Sequence, residues 1–119
     1  MGYRNEVAIK CETKAYERFK VVLADNNFKP DKVLFDDGDY IIYFDWVKWY
    51  EDYPEVNAIY DVMNQLDDEH DGHDDLSYKF LRLGEDDADK EERTNDYDIE
   101  LWPIRKIDLP LTATEVQFE

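Results

Sequence analysis

Residues 40–50 read YIIYFDWVKWY and decide how the rest of the chain is arranged. The segment is aromatic or β-branched almost throughout, contains no Gly or Pro, and carries two charges, Asp45 and Lys48. Such side chains fit a pleated, half-buried surface, so a long central strand is predicted. Alternation would place Trp46 on one face with the even-numbered residues and Trp49 on the opposite face with the odd-numbered ones.

The segments before and after this strand supply the other elements. Apolar and polar residues alternate over residues 3–12, which predicts a half-buried strand. In two longer segments apolar residues recur at helical spacing, which predicts two helices. Pro54 suits the first position of a helix, and Asp-Gly within residues 36–39 favours a tight hairpin turn. In chain order we predict a strand over 3–12, a helix with Thr13 as its N-cap, a strand over 32–35, the central strand, a helix from Pro54, and strands over 77–83 and 99–109.

This order is β-α-β-β-α-β with an extra C-terminal strand. Two helices on one face of an antiparallel sheet form a two-layer α+β sandwich, and the order predicts the ferredoxin-like plan. Pro103 would confine the last strand to an edge of the sheet. We expect a single domain over residues 1–109 and a loosely held C-terminal tail over residues 110–119. The sheet's second face would have no helix over it, leaving aromatic side chains there for a dimer or a partner.

The charge is large and unevenly placed. The chain has 31 acids and 14 bases, a net charge of −17. Residues 1–34 hold five acids and seven bases, and the remainder holds 26 acids and seven bases. A magnitude of about 2–8 is ample for the solubility of a small domain. Direct binding to nucleic acid is disfavoured because no basic field is present, whereas an acidic surface attracts basic proteins.

No catalytic motif accompanies this charge. The sequence lacks G-x-S-x-G, a phosphate-binding Gly loop, H-E-x-x-H and C-x-x-C. Acids clustered in loops do not provide the two different buried environments of an acid–base pair. Residues 67–75, DDEHDGHDD, partly match a calcium loop, but Tyr78 stands where the bidentate glutamate is required. We therefore predict a protein that is not an enzyme and has no cofactor or metal.

The chain has features of an intracellular protein. It contains no apolar run of the roughly 20 residues that a membrane helix needs. Its first residues, MGYRNEVAIK, lack the apolar core of a signal peptide. The single cysteine, Cys11, has no partner for an internal disulfide, which favours a reducing compartment, and its position in an alternating strand predicts a core side chain.

Three acidic runs, residues 36–39, 67–75 and 85–98, are candidates for a partner-binding surface. B-DNA carries one phosphate charge per about 1.7 Å of axis, so carboxylates spread over a domain about 30 Å long would imitate about ten base pairs. Such a protein would fill the basic groove of a nuclease, restriction enzyme or RNA-guided effector. Two tryptophans would add contact area. The candidate residues are Asp67, Asp68, Glu69, Asp71, Asp74, Asp75, Glu85, Asp86, Asp87, Asp89, Trp46 and Trp49.

Residues 1–7, MGYRNEV, and 80–87, FLRLGEDD, resemble a group of small acidic proteins common in tailed-phage genomes. These begin MGYRS-D/E-V, have a Trp- and Tyr-rich middle, and carry F-I-R-I-G-E-D followed by further acids. This chain differs at Asn5, where Ser is usual, and in the insert ADKEERTND at residues 88–96. The resemblance provides no catalytic residues. It implies a phage origin and favours an inhibitor of host defence, without naming the target. Combined with the acidic charge, it leads us to predict inhibition, in the cytoplasm of the host, of a basic defence enzyme of the restriction or CRISPR type.

Two other classes of function stay open. The chain would bind or sequester a small, nucleotide-like ligand if Arg82 and the basic N-terminal third supplied the positive groups. Alternatively, it would serve in assembly of the virion. A homodimer is compatible with each reading.

Overall fold

Two helices and a six-stranded antiparallel sheet make up an α+β fold. The computed structural model describes residues 3–71, 74–86, 88–103, 107–108 and 113–118. In chain order the elements are β1 (Arg4–Cys11), α1 (Thr13–Asp25), β2 (Lys32–Asp36), β3 (Asp39–Lys48), α2 (Pro54–Glu69), a 3-10 turn (Asp74–Leu76), β4 (Tyr78–Gly84), β5 (Lys90–Thr94), β6 (Trp102–Pro103), β7 (Ile107–Asp108) and β8 (Thr114–Val116).

Strand β1 lies in the middle of the sheet, whose order is β5-β4-β1-β3-β2-β8. Each neighbouring pair is antiparallel. Every residue of β1 after Arg4 is buried, including Glu6 and Lys10. The prediction of a half-buried strand is therefore wrong for β1, because both faces of the sheet are covered at its centre.

Both helices pack on one face of the sheet, which gives a two-layer arrangement and confirms the α+β class. Their apolar stripes join the sheet in one buried cluster. The predicted N-cap at Thr13 is wrong: the cap of α1 is Glu12, because its backbone oxygen already accepts a hydrogen bond from the Tyr16 N–H at 2.8 Å. Among the described helices, none is long and apolar enough to cross a membrane. Helix residues in the core are Ala15, Tyr16, Phe19 and Leu23 of α1, and Val56, Ile59, Val62, Met63 and Leu66 of α2.

The second face is covered without a helix. Leu101, which follows β5 in the chain, packs against the sheet in a smaller cluster that includes Ile41, Tyr43 and Leu81. These three sheet residues are at most 4% exposed. The centre of this face is thus part of the core.

The extra strand predicted over residues 99–109 differs from the structure. Within the described part of the chain, strands β6 and β7 pair with each other in a separate two-stranded sheet. Pro103 cannot donate a backbone hydrogen bond, which is unfavourable in a long strand. The edges of the main sheet are instead β5 and β8, and β8 lies within the predicted tail, where it pairs with β2.

A bulge in β3 changes which residues face the helices. The pairing register of β1 with β3 shifts between Asn5 and Val7, and Trp46 adopts a φ of 64°. One extra residue in a strand moves all later side chains to the other face. Trp49 consequently packs with Phe44 in the helix-side core, so its predicted placement on the opposite face is wrong.

Two local features complete the sheet. The hairpin turn predicted at residues 36–39 is confirmed, with φ of 51° at Asp37 and 89° at Gly38, the two positive values of a type I′ turn. Strand β5, KEERT, was not predicted, because its sequence has no apolar alternation. It forms the edge beside β4 through backbone pairing.

Candidate partner-binding surfaces

Three acidic segments meet at the end of the sheet where β1 finishes, here called the hairpin end. Cys11 pairs with Tyr40 on one side and with Tyr78 on the other. The β2–β3 turn, the segment before β4 and the segment after β5 therefore lie at this end. Its acids are Asp36, Asp37, Asp39, Asp68, Glu69, Asp71, Asp75, Asp96 and Asp98.

The crowding of negative charge is evident at Asp39. Burial raises the pKa of its carboxyl group; Lys10 opposes this, while the negative charges of Asp37, Asp36 and Asp96 raise the pKa further. Carboxylates from two of the acidic segments thus act on one another.

The predicted loop over residues 67–75 is partly helical. Residues 67–69 form the last turn of α2, and residues 74–76 form a 3-10 turn. One ring nitrogen of His70 lies 3.1 Å from the hydroxyl of Ser77. Among the described residues, no group of three or more His, Cys, Asp and Glu is arranged to hold a metal ion.

Several of the predicted contact acids already have cationic partners within the chain. Asp67, which pairs with Arg93, accepts a further hydrogen bond from the hydroxyl of Tyr78 at 2.9 Å. Asp68 and Asp71 are exposed and form no ion pair with a described residue. The side chain of Asp74 and the whole of Asp87 lie outside the described part of the chain. The ion pairs are Asp67–Arg93 at 2.7 Å, Glu69–Arg18 at 2.7 Å and Asp75–Lys14 at 3.2 Å.

The remaining predicted acids lie at the opposite end, here called the pocket end. Asn5 pairs with Val47 and with Gly84, so the end of β3 and the β4–β5 turn are neighbours. Glu85, Asp86 and Asp89 lie in or beside that turn. Trp46 is 57% exposed, whereas Trp49 is only 7% exposed and has little surface for a partner. The sequence-predicted residues therefore form two surfaces rather than one.

Arg82 is the centre of a polar network at the pocket end. Its Nη2 and Nη1 donate to Oδ1 and Oδ2 of Asp89 at 3.0 and 3.2 Å. Nε donates to Glu91 at 3.1 Å, and Nη1 donates to the amide oxygen of Asn5 at 2.8 Å. Burial works to lower the pKa of Arg82, but the hydrogen bonds to Asp89 and Glu91 raise it overall. The guanidinium group is thus engaged by its own chain.

Tyrosine hydroxyls attach aromatic rings to this network. The hydroxyl of Tyr3 donates to Asp89 at 2.8 Å, and that of Tyr60 donates to Glu91 at 2.9 Å. Trp49 Nε1 in turn donates to the Tyr60 oxygen at 3.3 Å. Burial raises the pKa of Tyr60 to about 12, so its hydroxyl remains a donor at neutral pH.

A cavity of about 540 Å³ opens beside the network. Four acidic residues and one arginine line it, with a net charge of −3. Sequence reasoning missed Glu51 and Asp52 as site residues; the signal available was an acidic pair directly after the aromatic strand. The aromatic lining comes from Tyr3, Trp49, Tyr50 and Tyr60, and the carboxylates from Glu51, Asp52, Asp89 and Glu91.

No protein-family model matches the chain, and comparisons with curated proteins and with solved structures gave no significant match.

Proposed function

We propose that the chain is a phage-encoded, non-enzymatic inhibitor that uses its carboxylate surface to occupy the nucleic-acid site of a basic host defence enzyme. The phage origin and the host cytoplasm rest on the resemblance of residues 1–7 and 80–87 described above. The mode of action rests on charge and on where the fold places it.

The density of charge supports mimicry of nucleic acid and is the observation that carries the proposal. The net charge is −17, and the longest dimension of the molecule is 42 Å. A B-DNA duplex of that length has about 25 phosphates, counting both strands. The protein thus has about two-thirds of the linear charge of the duplex that it would replace.

The distribution of charge fits an elongated basic groove. Acids lie at both ends of β4, whose seven residues span about 20 Å at about 3.4 Å per residue. A partner that contacts both the hairpin end and the pocket end would meet negative charge over about 20 Å, a length of B-DNA that carries several phosphates. Association driven by long-range attraction of this kind is fast and sensitive to salt.

The fold proposed for this scaffold is ferredoxin-like. Strands β1 to β4 and both helices follow the predicted β-α-β-β-α-β order, and the sheet order β4-β1-β3-β2 supports that assignment. Strands β5 and β8 extend the sheet at its two edges. The additional C-terminal strand of the proposal would then be β8 rather than residues 99–109.

The nucleotide-binding alternative has less support. Arg82 is the positive group that it requires, and four hydrogen bonds already join this side chain to its own chain. The adjoining cavity has a net charge of −3, which opposes a phosphate group. No specific contact favours the virion-assembly alternative.

The proposal is tested by capture of the partner from a bacterial lysate at low salt, followed by elution with a salt gradient. Asp68→Lys/Asp71→Lys alters the hairpin end, and Glu51→Lys/Asp52→Lys alters the pocket end. We expect the partner to elute from each double variant at lower salt than from the unmodified chain. The far-UV circular dichroism should be unchanged, because all four residues are exposed.

A matched control distinguishes the effect of the two surfaces on elution from the effect of the total net charge. Glu17→Lys/Asp61→Lys makes the same change in charge on the exposed faces of α1 and α2. We expect a clearly smaller shift for the control variant than for either surface variant, because it weakens only the long-range attraction. Equal shifts for all three variants would show that only total charge matters, and the surfaces proposed here would be wrong.

A further inference from the structure

We infer that the cavity at the pocket end receives a cationic side chain, an arginine or a lysine, from the partner. This inference rests on the proposed function insofar as the partner is a basic protein. It adds a specific anchoring site to the general attraction between opposite charges.

The carboxylates of the cavity are of two kinds. Asp89 and Glu91 are held in place by hydrogen bonds from Arg82, with lengths of 3.0 to 3.2 Å. Glu51 and Asp52 are exposed and form no ion pair with any described residue. Glu51 and Asp52 are therefore available to a cation from outside. The single guanidinium group of Arg82 neutralises only part of the negative charge of Asp89 and Glu91.

The aromatic lining suits the same ligand. The backbone N–H of Tyr3 donates to the hydroxyl of Tyr50 at 2.7 Å, and the rings of Tyr50 and Tyr53 meet edge to face at 5.2 Å. These contacts hold the ring of Tyr50 in place before any ligand arrives. The faces of aromatic rings attract ammonium and guanidinium groups within about 6 Å of their centres. Acidic and aromatic residues around one opening are complementary to a cation with an apolar stem.

The dimensions agree with a side chain of this size. The cavity of about 540 Å³ is within the range of about 300–1,000 Å³ that is usual for ligand sites, which leaves room for one long side chain and part of its backbone. An anionic group would meet the net charge of −3, and a neutral one would leave Glu51 and Asp52 without a partner.

The test uses the full chain and no partner protein. The probe is N-acetyl-arginine methylamide, titrated into the 15N-labelled protein, and the reporter is the indole N–H resonance of Trp49, assigned with Trp49→Phe. That N–H donates to Tyr60 inside the cavity wall. We expect a saturable shift, and an affinity about tenfold weaker for the neutral citrulline analogue. Absence of a saturable shift, or equal affinity for citrulline, would overturn the inference.

Matched variants locate the binding. Glu51→Gln/Asp52→Asn should weaken binding of the arginine probe about fivefold, since two exposed charge interactions are lost. Glu17→Gln/Asp61→Asn, outside the cavity, should leave it unchanged. Equal affinities of the two double variants would place the probe elsewhere and contradict the inference.

A last arm separates the two sources of a cation. Spermidine presents cationic groups as a free metabolite, with three charges against the single charge of the arginine probe. We expect an affinity for spermidine that is less than about 100-fold greater than that for the probe, because the additional charges strengthen the general attraction; a larger ratio would assign the cavity to a free polyamine and overturn the side-chain assignment. Because the titration uses no partner, a negative titration would contradict only the cavity inference. Failure to capture a partner would count only against the proposed function.

Discussion

Arg82 and Asp89 lie face to face beside the β4–β5 turn, with two guanidinium N–H groups donating to the two carboxylate oxygens at 3.0 and 3.2 Å. Asp89 also accepts a hydrogen bond from Tyr3, and its backbone oxygen accepts one from Gly84 at 2.8 Å. One acidic residue thereby connects the start of β1, the end of β4 and the edge strand β5. The same contacts form one wall of the cavity.

We expect Arg82→Gln to lower the free energy of unfolding by about 2 kcal/mol. The guanidinium side chain is 18% exposed, and its removal would leave Asp89 and Glu91 without their charged donor. Urea unfolding at neutral pH measures the loss. Arg18→Gln is the matched control, because Arg18 pairs with Glu69 on the surface, where an ion pair contributes about 0–1 kcal/mol. Equal losses for the two variants would show that the Arg82 network contributes no more than a surface pair.

Gly84→Ala should destabilise the protein by about 1–3 kcal/mol through overpacking. A Cβ at residue 84 would overlap the carboxylate of Asp89 and the hydroxyl of Tyr3. Removing one of these two obstructing groups with Asp89→Ala should make the glycine substitution less costly. A double-mutant cycle measures this coupling, and strictly additive losses would contradict the proposed steric conflict.

Asp39→Asn should raise stability at pH 7. Burial and the charges of Asp37, Asp36 and Asp96 raise the pKa of the Asp39 carboxyl group in the folded state, in spite of Lys10. A raised pKa means that the ionised carboxylate costs stability above the folded pKa, and that the cost is relieved as the pH falls toward the unfolded value. The gain in the urea midpoint should therefore be present at pH 7 and disappear below about pH 3.9, the usual value for Asp.

The control for this prediction is Asp61→Asn, on the exposed face of α2. Its effect should lie within about 0.5 kcal/mol at each pH. A loss of stability at pH 7 in Asp39→Asn would show that the Asp39 carboxylate is stabilised by its surroundings, contrary to our expectation.

Trp46→Gly should be more stable than Trp46→Ala by about 1 kcal/mol. Both variants lose the same exposed ring, but residue 46 has a φ of 64°, a conformation that costs an alanine more than a glycine. In an ordinary strand the order would be reversed. Thermal or urea unfolding of the two variants decides between them, and greater stability of the alanine variant would exclude the bulge at Trp46.

Much of the fold is predictable because the information is local. The helices and the first four strands are recognisable from apolar periodicity, from Pro54 and from the Asp-Gly turn. Strand β5 is not recognisable, because its charged residues are held by the neighbouring strand and by the Arg82 network. The bulge is equally invisible, since tryptophan seldom adopts a positive φ and nothing in its neighbourhood signals one.

The candidate site is predictable in charge but not in arrangement. Acidic runs are visible in the sequence, yet Glu69 pairs with Arg18 at a separation of 51 residues and Asp67 with Arg93 at 26. Such pairing depends on the tertiary fold, and it decides which acidic side chains are available to contact a partner. For the same reason, Glu51 and Asp52 become site residues only when the β4–β5 turn is placed beside them.

The central claim is that the carboxylate surface occupies a nucleic-acid site, and competition at constant salt tests it most directly. Captured partner is titrated with a duplex of about 12 base pairs, which matches the 42 Å length of the protein. Polyglutamate with the same total charge controls for acidity alone. We predict saturable release by the duplex and much weaker release by polyglutamate. A partner that stays bound at saturating duplex, or that binds the duplex and the protein together, would contradict the account.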